Sequence, residues 1–320
     1  MRQRPFGKLG TASALTLGGG GIAGIWGETT REECVVTVRE AVDSGIDVLD
    51  LAPSYGNGEA ENVIGEAFNG ALPGGIRVTT KCRVGDTPPD EVYDHLSTSL
   101  NGSLERMRLD HVDIMFVHNA VTLDTEGHER LTPASVVAEA IAPAFERLIA
   151  EGRIRHWGLT GIGEPDALIE LLNNGPRPDY VQCIANLLDS PGGLLRGGIA
   201  ARPRDIIAAA NANGTAVMGI RAVQAGALTD AIDRPLPEGH SELADYARAA
   251  PFRAIAAEVG GSAAWLAHCY SLSMDGIGTV VLGVKNREEL RECIDAESAA
   301  PLDAALIARI DNAVGRTDLT

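Results

Sequence analysis

Eight short apolar segments, most of them followed by a stretch with helical periodicity, restrict the fold of this chain more than any other feature. The segments are rich in β-branched residues and end in glycine or polar residues, as strands do. Their nearly continuous hydrophobicity suits strands that are covered on both faces of a parallel sheet. They are LTLGG from Leu15, IDVLD to Asp50, IRVTTK to Lys81, HVDIMFVH to His118, IRHWGLT to Thr160, YVQCIA from Tyr180, TAVMGI to Ile220 and GTVVLGV to Val284.

Eight strand and helix units in 320 residues predict an α/β chain that closes as a (β/α)8 TIM barrel, with one domain spanning residues 1–320. Helix-capping signals between the strands agree, because Thr30 and Glu33 form a capping box and Gly152 follows a later helical pattern. A long doubly wound open sheet is the alternative. The interval before the last strand, about 63 residues, predicts a long loop or insertion after strand 7.

Charge and cysteine usage exclude several classes of partner. The 44 acidic and 27 basic residues give a net charge of −17, which disfavours nucleic acid and anionic membrane surfaces by repulsion. The five cysteines are scattered, without a C-x-x-C pair or metal-ligand spacing, so we expect reduced thiols and no metal site. The basic N-terminal segment has too short an apolar run for a signal peptide or membrane span, so the expected location is the cytoplasm. The oligomeric state is not predicted.

Three titratable residues end adjacent predicted strands. Asp50, Lys81 and His118 close the second, third and fourth strands, and Tyr55 lies in the loop after the second. Each residue alone has an ordinary structural interpretation as a cap, a solvated cation or a buried polar group. The carboxyl ends of barrel strands form the mouth where TIM-barrel active sites lie, so together they predict one site.

The chemistry of these four side chains suits carbonyl reduction. Free tyrosine, with a pKa of about 10, donates its proton reluctantly at neutral pH. A lysine ammonium beside the phenol is expected to lower its pKa, and an aspartate behind the lysine keeps the ammonium charged. A neighbouring histidine can hydrogen-bond the substrate oxygen as a hydride reaches the carbonyl carbon.

Six blocks carry a resemblance to a known family. DVLDLAPSYGNGEAENVIGEAF, VTTKC, VDIMFVHN, GRIRHWGLTG, VQCIANLL and VVLGVKNREELREC resemble, in order, the signatures of the aldo-keto reductases, including sugar-oxidising members. The resemblance spans residues 5 to about 300. It implies a (β/α)8 barrel, a nicotinamide cofactor extended across its top, and hydride transfer to or from a small aldehyde, ketone or sugar. By position, Tyr55 matches the proton donor, Lys81 and Asp50 its tuning partners, and His118 the residue that orients the carbonyl.

The resemblance also implies binding positions. Thr160 and Gln182 match residues that hold the nicotinamide carboxamide, whereas Gly161 replaces a common asparagine and Ile220 replaces a tyrosine that stacks on the nicotinamide. The implied cofactor-binding residues are Gly19, Thr160, Gln182, Ile220, Arg221, Gly226, Leu228, Gly283, Lys285, Arg287 and Glu289, and the implied substrate-binding residues are Trp26 and Asn119.

Two observations point to different cofactors. The family favours NADP(H), and Lys285 and Arg287 would suit its 2′-phosphate. Glu289 stands where many NADP-dependent members carry arginine, and its carboxylate would favour the ribose hydroxyls of NAD(H). The expected partner is a small carbonyl or alcohol substrate.

Other interpretations remain open at this stage. Gly19, Gly21 and Gly24 have the order of a dinucleotide fingerprint, but the capped helix starts only at Thr30, so the motif lacks its required context. A Schiff-base barrel enzyme would use Lys81 as a nucleophile. A redox-sensing regulatory protein would bind the cofactor with little turnover.

Overall fold

Eight parallel strands form a closed barrel in the computed structural model, which describes residues 1–123, 130–194 and 200–316. Each strand pairs with its neighbour in chain order, and the eighth closes on the first through Val280 and Leu15. The (β/α)8 prediction is therefore confirmed and the open sheet is excluded. The strands are β1 (Leu15–Gly18), β2 (Val48–Asp50), β3 (Arg77–Cys82), β4 (Val112–Val117), β5 (Ile154–Thr160), β6 (Tyr180–Ile184), β7 (Ala216–Ile220) and β8 (Thr279–Leu282).

Helices alternate with the strands and cover the outside of the barrel. Their apolar faces pack on the strands in a continuous core, which explains why the strands are apolar on both faces. The long helices are α1 (Arg31–Asp43), α2 (Glu59–Phe68), α3 (Val92–Met107), α4 (Ala142–Ala150), α5 (Pro165–Asn174), α6 (Pro203–Ala212), α7 (Ser241–Arg248), α8 (Ala250–Glu258), α9 (Ala263–Ser273), α10 (Arg287–Ser298) and α11 (Ala304–Ala313). A π-helical turn, Val137–Ile141, leads into α4.

The predicted insertion after β7 is present. It contains the 3-10 turn Gln224–Gly226 followed by α7 and α8, before α9 completes the barrel unit. Two further short strands, Ala120–Thr122 and Leu131–Pro133, pair in parallel beyond the end of β4. Both additions lie beyond the carboxyl ends of barrel strands, where they can shape a site.

The N-terminal end of the barrel is closed by a hairpin whose strands are Gln3–Pro5 and Thr11–Ser13. Phe6 packs against Tyr180 in a small core inside the barrel, with ring centroids 4.9 Å apart. The Tyr180 hydroxyl donates to the Phe6 carbonyl oxygen at 3.1 Å and accepts from the Leu9 amide at 2.9 Å. This packing closes the barrel axis from below and leaves the opposite end as its mouth.

The capping box predicted at α1 is only half formed. Thr30 Oγ1 accepts from the Glu33 amide at 3.2 Å, as expected for an N-cap. The Glu33 carboxylate does not return to Thr30; it accepts from Arg287 Nε and Nη2, each at 3.0 Å. A tertiary ion pair between α1 and α10 has therefore replaced the second local hydrogen bond.

The glycine run after β1 serves close packing against β8. Residues Gly19–Ile22 form a single helical turn, and the capped helix begins at Arg31. A β-carbon on Gly18 would lie 2.1 Å from the Leu282 carbonyl oxygen, and one on Gly21 would lie 2.0 Å from that of Val284. Only residues without a side chain fit at Gly18 and Gly21, so packing explains these two members of the glycine run.

We expect Gly21→Ala to lower the free energy of unfolding by about 1–3 kcal/mol, because the new methyl group would overlap backbone atoms that cannot rotate away. Urea denaturation measures the change. Gly74→Ala is the matched control, since a β-carbon there meets no atom within 4 Å; its expected effect is below about 0.5 kcal/mol. Equal denaturation midpoints for the two variants would contradict this account of the glycine run.

Candidate functional site

A cavity of about 630 Å³ lies at the mouth of the barrel. Asp50, Tyr55 and His118 line it, together with Thr160 at the end of β5 and Gln182 in the middle of β6. Loops after β1, β7 and β8 complete the wall. The four residues that the sequence singled out thus come together from the carboxyl ends of three adjacent strands, β2, β3 and β4, and from the loop after β2.

Lys81 and Asp50 form a buried ion pair at the base of this cavity. Lys81 Nζ lies 2.8 Å from Asp50 Oδ2 and donates to the Leu51 carbonyl oxygen at 2.9 Å. Both side chains are almost completely buried. Burial disfavours the ammonium, but the neighbouring Asp50 and Tyr55 outweigh burial and raise the pKa of Lys81. Lys81 therefore remains a cation at neutral pH, which opposes a role as a Schiff-base nucleophile.

The second oxygen of Asp50 is also fixed. Asp50 Oδ1 accepts from Thr79 Oγ1 and from Gln182 Nε2, each at 2.6 Å. Thr79 lies on β3 and Gln182 on β6, so the carboxylate is held from two sides of the barrel. The satisfied carboxylate orients the ammonium of Lys81 toward the cavity end of the barrel.

Tyr55 is half-buried in the loop after β2, and Lys81 Nζ lies 4.8 Å from the centroid of its ring. Gly56 and Gly58, with φ of 60° and 90°, turn the chain sharply behind it into α2. Burial raises the pKa of Tyr55, and the charge of Lys81 and its hydrogen bond to the phenol act in the opposite direction. The expected lowering by Lys81 is thus present but outweighed by burial, so the phenol is protonated at neutral pH and can donate.

His118 stands at the end of β4 with its ring edge toward Tyr55. The two ring centroids are 5.7 Å apart at an interplanar angle of 84°. Burial, Lys81 and Arg83 hold the pKa of His118 well below its usual range, so the imidazole is neutral. Nδ1 lies 3.4 Å from Ser54 Oγ, which leaves the other ring nitrogen for a ligand.

Gln182 and Thr160 present acceptor atoms to the cavity. Because Gln182 Nε2 is used on Asp50, its Oε1 is the atom that a ligand can meet. Thr160 Oγ1 donates to the Val117 carbonyl oxygen at 2.7 Å, which leaves its lone pairs for a ligand. Two converging acceptors suit a primary amide, such as a nicotinamide carboxamide.

Close packing explains why residue 161 is a glycine and not the asparagine that the resemblance would place there. The amide of Gly161 donates to the Gln182 carbonyl oxygen at 2.7 Å, which fixes the backbone. A β-carbon at this position would lie 2.9 Å from that oxygen and 2.9 Å from Cys183 Sγ. An asparagine therefore does not fit here without movement of the backbone.

The other predicted cofactor positions divide into two groups. Residues that line the cavity are Gly19, Ile220, Arg221, Gly226, Gly283, Lys285 and Glu289. Leu228 and Arg287 do not line it: Leu228 is fully buried in the core, and Arg287 pairs with Glu33 on the outside of the barrel.

Two basic residues in the loops after β7 and β8, Lys285 and Arg221, are paired with carboxylates. Lys285 Nζ pairs with Asp233 and, at 2.8 Å, with Glu289 Oε1. Arg221 Nη2 donates to Glu242 Oε1 at 2.7 Å. Asp233 and Glu242 both belong to the insertion after β7 and lie far along the chain from Lys285 and Arg221. The amino-acid sequence alone could therefore not reveal these pairs.

The two predicted substrate positions differ in character. Trp26 is half-buried in the cavity wall, and Arg234 Cζ lies 5.4 Å from the centroid of its ring. Asn119 reaches the cavity, but its Oδ1 accepts from the Val84 amide at 2.8 Å, which links the loops after β3 and β4. Arg83, Arg130 and Arg234 also line the cavity, although no sequence motif singled them out. The position of Arg83, two residues after Lys81, was an available signal.

Two other kinds of feature do not occur in the described ranges 1–123, 130–194 and 200–316. These residues contain no group of three or more His, Cys, Asp or Glu side chains arranged to hold a metal ion. None of their helices combines the length and apolar character that crossing a membrane requires.

The sequence of this chain is similar to those of known proteins over most of its length. The sequence profile of the Aldo/keto reductase family matches residues 14–314. L-galactose dehydrogenase of Arabidopsis thaliana is 28% identical over 304 residues, which cover 92% of this chain and 87% of that protein. NADH-specific methylglyoxal reductase of Escherichia coli strain K12 is 28% identical over 263 residues, covering 75% of this chain and 72% of that protein.

Solved structures agree on the fold. The holo form of an aldo-keto reductase from Bacillus halodurans superposes with a TM-score of 0.74 at 21% sequence identity. The superposition covers 99% of this chain and 97% of that one. At this identity the likeness concerns the architecture of the barrel.

Proposed function

The chain belongs to the aldo/keto reductase family and is an oxidoreductase dependent on NAD(P)(H), and we propose that Tyr55 is its proton donor and acceptor. The reaction transfers a hydride between the nicotinamide and a small aldehyde, ketone or sugar. One observation carries the proposal: the Tyr55 phenol stands in the cavity beside the buried Lys81 and Asp50 pair. A tyrosine placed only for packing would not require a buried cation beside its ring.

The cavity fits a nicotinamide dinucleotide. Thr160 and the Oε1 atom of Gln182 would accept hydrogen bonds from the carboxamide. Gly19 and Gly283 line the cavity, and Ile220 offers an apolar surface to a flat ligand. When bound, the nicotinamide supplies or accepts the hydride.

The residues of the chain control the proton. During reduction, the substrate oxygen accepts hydrogen bonds from the Tyr55 hydroxyl and from neutral His118, which polarise the carbonyl. The proton of Tyr55 moves to that oxygen as negative charge develops there. Lys81 stabilises the phenolate left behind, and Asp50 holds Lys81 in place. During oxidation, the phenolate accepts the hydroxyl proton of the alcohol.

Turnover tests the proposal directly. Purified protein should oxidise NADH or NADPH in the presence of a small aldehyde, measured as loss of reduced-cofactor absorbance. A protein that binds the cofactor but converts no aldehyde, ketone or sugar would instead act as a cofactor-binding regulator. The raised pKa of Lys81 disfavours the Schiff-base alternative, and failure of borohydride to trap a carbonyl ligand on Lys81 would agree.

We further propose that the chain prefers NAD(H) to NADP(H). The two basic residues that the sequence offered to a 2′-phosphate already have carboxylate partners, Glu33 for Arg287 and both Asp233 and Glu289 for Lys285. Glu289 and Glu292 add carboxylates to the cavity wall there. A phosphate dianion would meet repulsion, whereas ribose hydroxyls can donate to carboxylates.

Fluorescence titration measures this preference, because Trp26 lies in the cavity wall. We expect NADH to bind at least about 10-fold more tightly than NADPH, the ratio that one unfavourable charge contact of about 1.4 kcal/mol produces. Glu289→Gln should lower the ratio of NADH affinity to NADPH affinity, since it removes a repelling charge and one of the two carboxylates paired with Lys285. Glu288→Gln, one residue earlier and exposed, is the control and should leave the ratio unchanged. Tighter binding of NADPH by the unaltered chain would refute the preference.

The location of the protein is a proposal of the same kind. All five cysteines are free and buried. Unpaired thiols suit a reducing compartment, and we propose the cytoplasm.

A further inference from the structure

Charge is distributed unevenly around the cavity. Apart from Asp50, which is paired with Lys81, every carboxylate among the described lining residues follows β7 or β8: Asp230, Asp233, Glu289 and Glu292. That wall also carries Arg221, Arg234 and Lys285, each paired with a carboxylate. The opposite wall, built by the loops after β3 and β4, contributes Arg83 and Arg130. Among the described lining residues of a chain with a net charge of −17, this wall therefore carries two arginines and no carboxylate.

Arg83 is held firmly beside the reacting residues. The carbonyl oxygen of Cys82, the residue before Arg83, accepts a hydrogen bond from the His118 amide at 2.7 Å. The amide of Val84, the residue after Arg83, donates a hydrogen bond to Asn119 Oδ1 at 2.8 Å. His95 Nε2 lies 2.7 Å from the carbonyl oxygen of Arg83 itself. The backbone of Arg83 is thus bound between the loop that carries His118 and helix α3.

The guanidinium of Arg83 lies within electrostatic range of the site. After burial and Lys81, it is the third cause that lowers the pKa of His118. It also opposes the increase that burial causes in the pKa of Tyr55. Arg83 lines the same cavity as Tyr55 and His118, and it is not a distant surface cation.

Arg130 joins the same wall through the short sheet beyond β4. The carbonyl oxygen of Arg130 accepts a hydrogen bond at 2.9 Å from the amide of Ala120, which lies two residues after His118. Neither arginine is without a partner in the chain. A guanidinium carries five N–H donors, however, so a carboxylate can be added to its existing contacts.

We propose that the preferred carbonyl substrate carries a carboxylate, which Arg83 and Arg130 bind while its carbonyl group faces Tyr55 and His118. This inference rests on the proposed oxidoreductase function and adds the substrate class. Carboxylates outnumber cations on the wall after β7 and β8, four to three among the described lining residues, so the two sides of the cavity together orient such a substrate. Arg83 and Arg130 are specificity-determining residues in this arrangement.

A matched pair of aldehydes tests the inference. The probes are 4-oxobutanoate and its methyl ester, which share the aldehyde and chain length and differ in the charge. We expect kcat/KM for the carboxylate to exceed that for the ester by about 10-fold or more, as for one hydrogen-bonded charge pair. Added salt should reduce this preference, because the cavity is open to solvent.

Arg83→Gln should bring the ratio of the two kcat/KM values close to one. Both substrates are measured in the same variant, so an altered ionisation of Tyr55 affects them alike and the ratio reports carboxylate binding. Arg130→Gln, at an exposed residue, provides a second variant if the first folds poorly. Arg155→Gln removes the same charge from a residue that lies outside the cavity, and it should leave the ratio unchanged.

The outcomes separate this inference from the proposed function. Turnover of both aldehydes without preference for 4-oxobutanoate, or a preference that survives both Arg83→Gln and Arg130→Gln, overturns the inference and leaves the oxidoreductase in place. Absence of turnover with either aldehyde and with a panel of uncharged carbonyls and sugars overturns the proposed function itself.

Discussion

Tyr55→Phe is expected to reduce kcat for carbonyl reduction by about 10²- to 10⁴-fold, the contribution typical of a general acid. The substitution removes the phenolic hydroxyl and retains the ring that packs beside Lys81 and His118. Cofactor affinity should change little, because the proposed cofactor contacts come from other residues. The loss should therefore appear in kcat and not in the dissociation constant of NADH.

Steady-state kinetics and fluorescence titration of the same preparation measure the two quantities. Tyr93→Phe is the matched control, since it removes a hydroxyl that donates to Glu151 on the outside of the barrel. That variant should retain full activity. If Tyr55→Phe turned over substrate at the rate of the control, another group would have to supply the proton.

Lys81→Met is expected to damage both stability and chemistry. The substitution leaves the carboxylate of Asp50 buried without its cation, a change that typically costs about 3–5 kcal/mol of folding free energy. Since the folded protein raises the pKa of Lys81, the stabilising contribution of the ammonium is complete below the ordinary lysine pKa and is lost only as pH rises through the folded-state value. The stability difference should therefore be present throughout the neutral range.

The same variant should move the pH profile of any remaining activity upward. Reduction requires protonated Tyr55, so its rate falls as pH rises through the pKa of the phenol. Lys81 acts to lower that pKa, and without the ammonium the phenol ionises at higher pH. The descending limb for reduction and the ascending limb for alcohol oxidation should both shift to higher pH.

Urea denaturation and pH–rate profiles, recorded where the variant is folded by circular dichroism, measure these effects. Lys8→Met makes the same chemical change at an exposed residue that pairs with Asp179. It should cost no more than about 1 kcal/mol and should not move the profile. An unshifted profile in Lys81→Met would assign Lys81 a structural role only.

The barrel could be predicted because its signals are local. Each strand is a short apolar run between polar or glycine boundaries, and eight such runs with intervening helices leave few ways to bury all of them. The position of Tyr55 followed from the same rule, since reactive residues lie at the carboxyl ends of barrel strands. Leu228 shows the limit of positional reasoning, because a residue that the resemblance assigned to the cofactor has its side chain in the core.

The sequence by itself determined the order of strands and helices and the end of the barrel at which Asp50, Tyr55, Lys81 and His118 meet. Only the tertiary structure decided the direction in which the pKa of Tyr55 shifts, because the desolvation that raises it depends on all the residues packed around the phenol. It also decided which cations have partners: Lys285 meets Asp233 across 52 residues of chain, and Arg287 meets Glu33 across 254. Periodicity and capping act over a few residues, whereas burial and ion pairing depend on distances in space that the order of residues does not reveal.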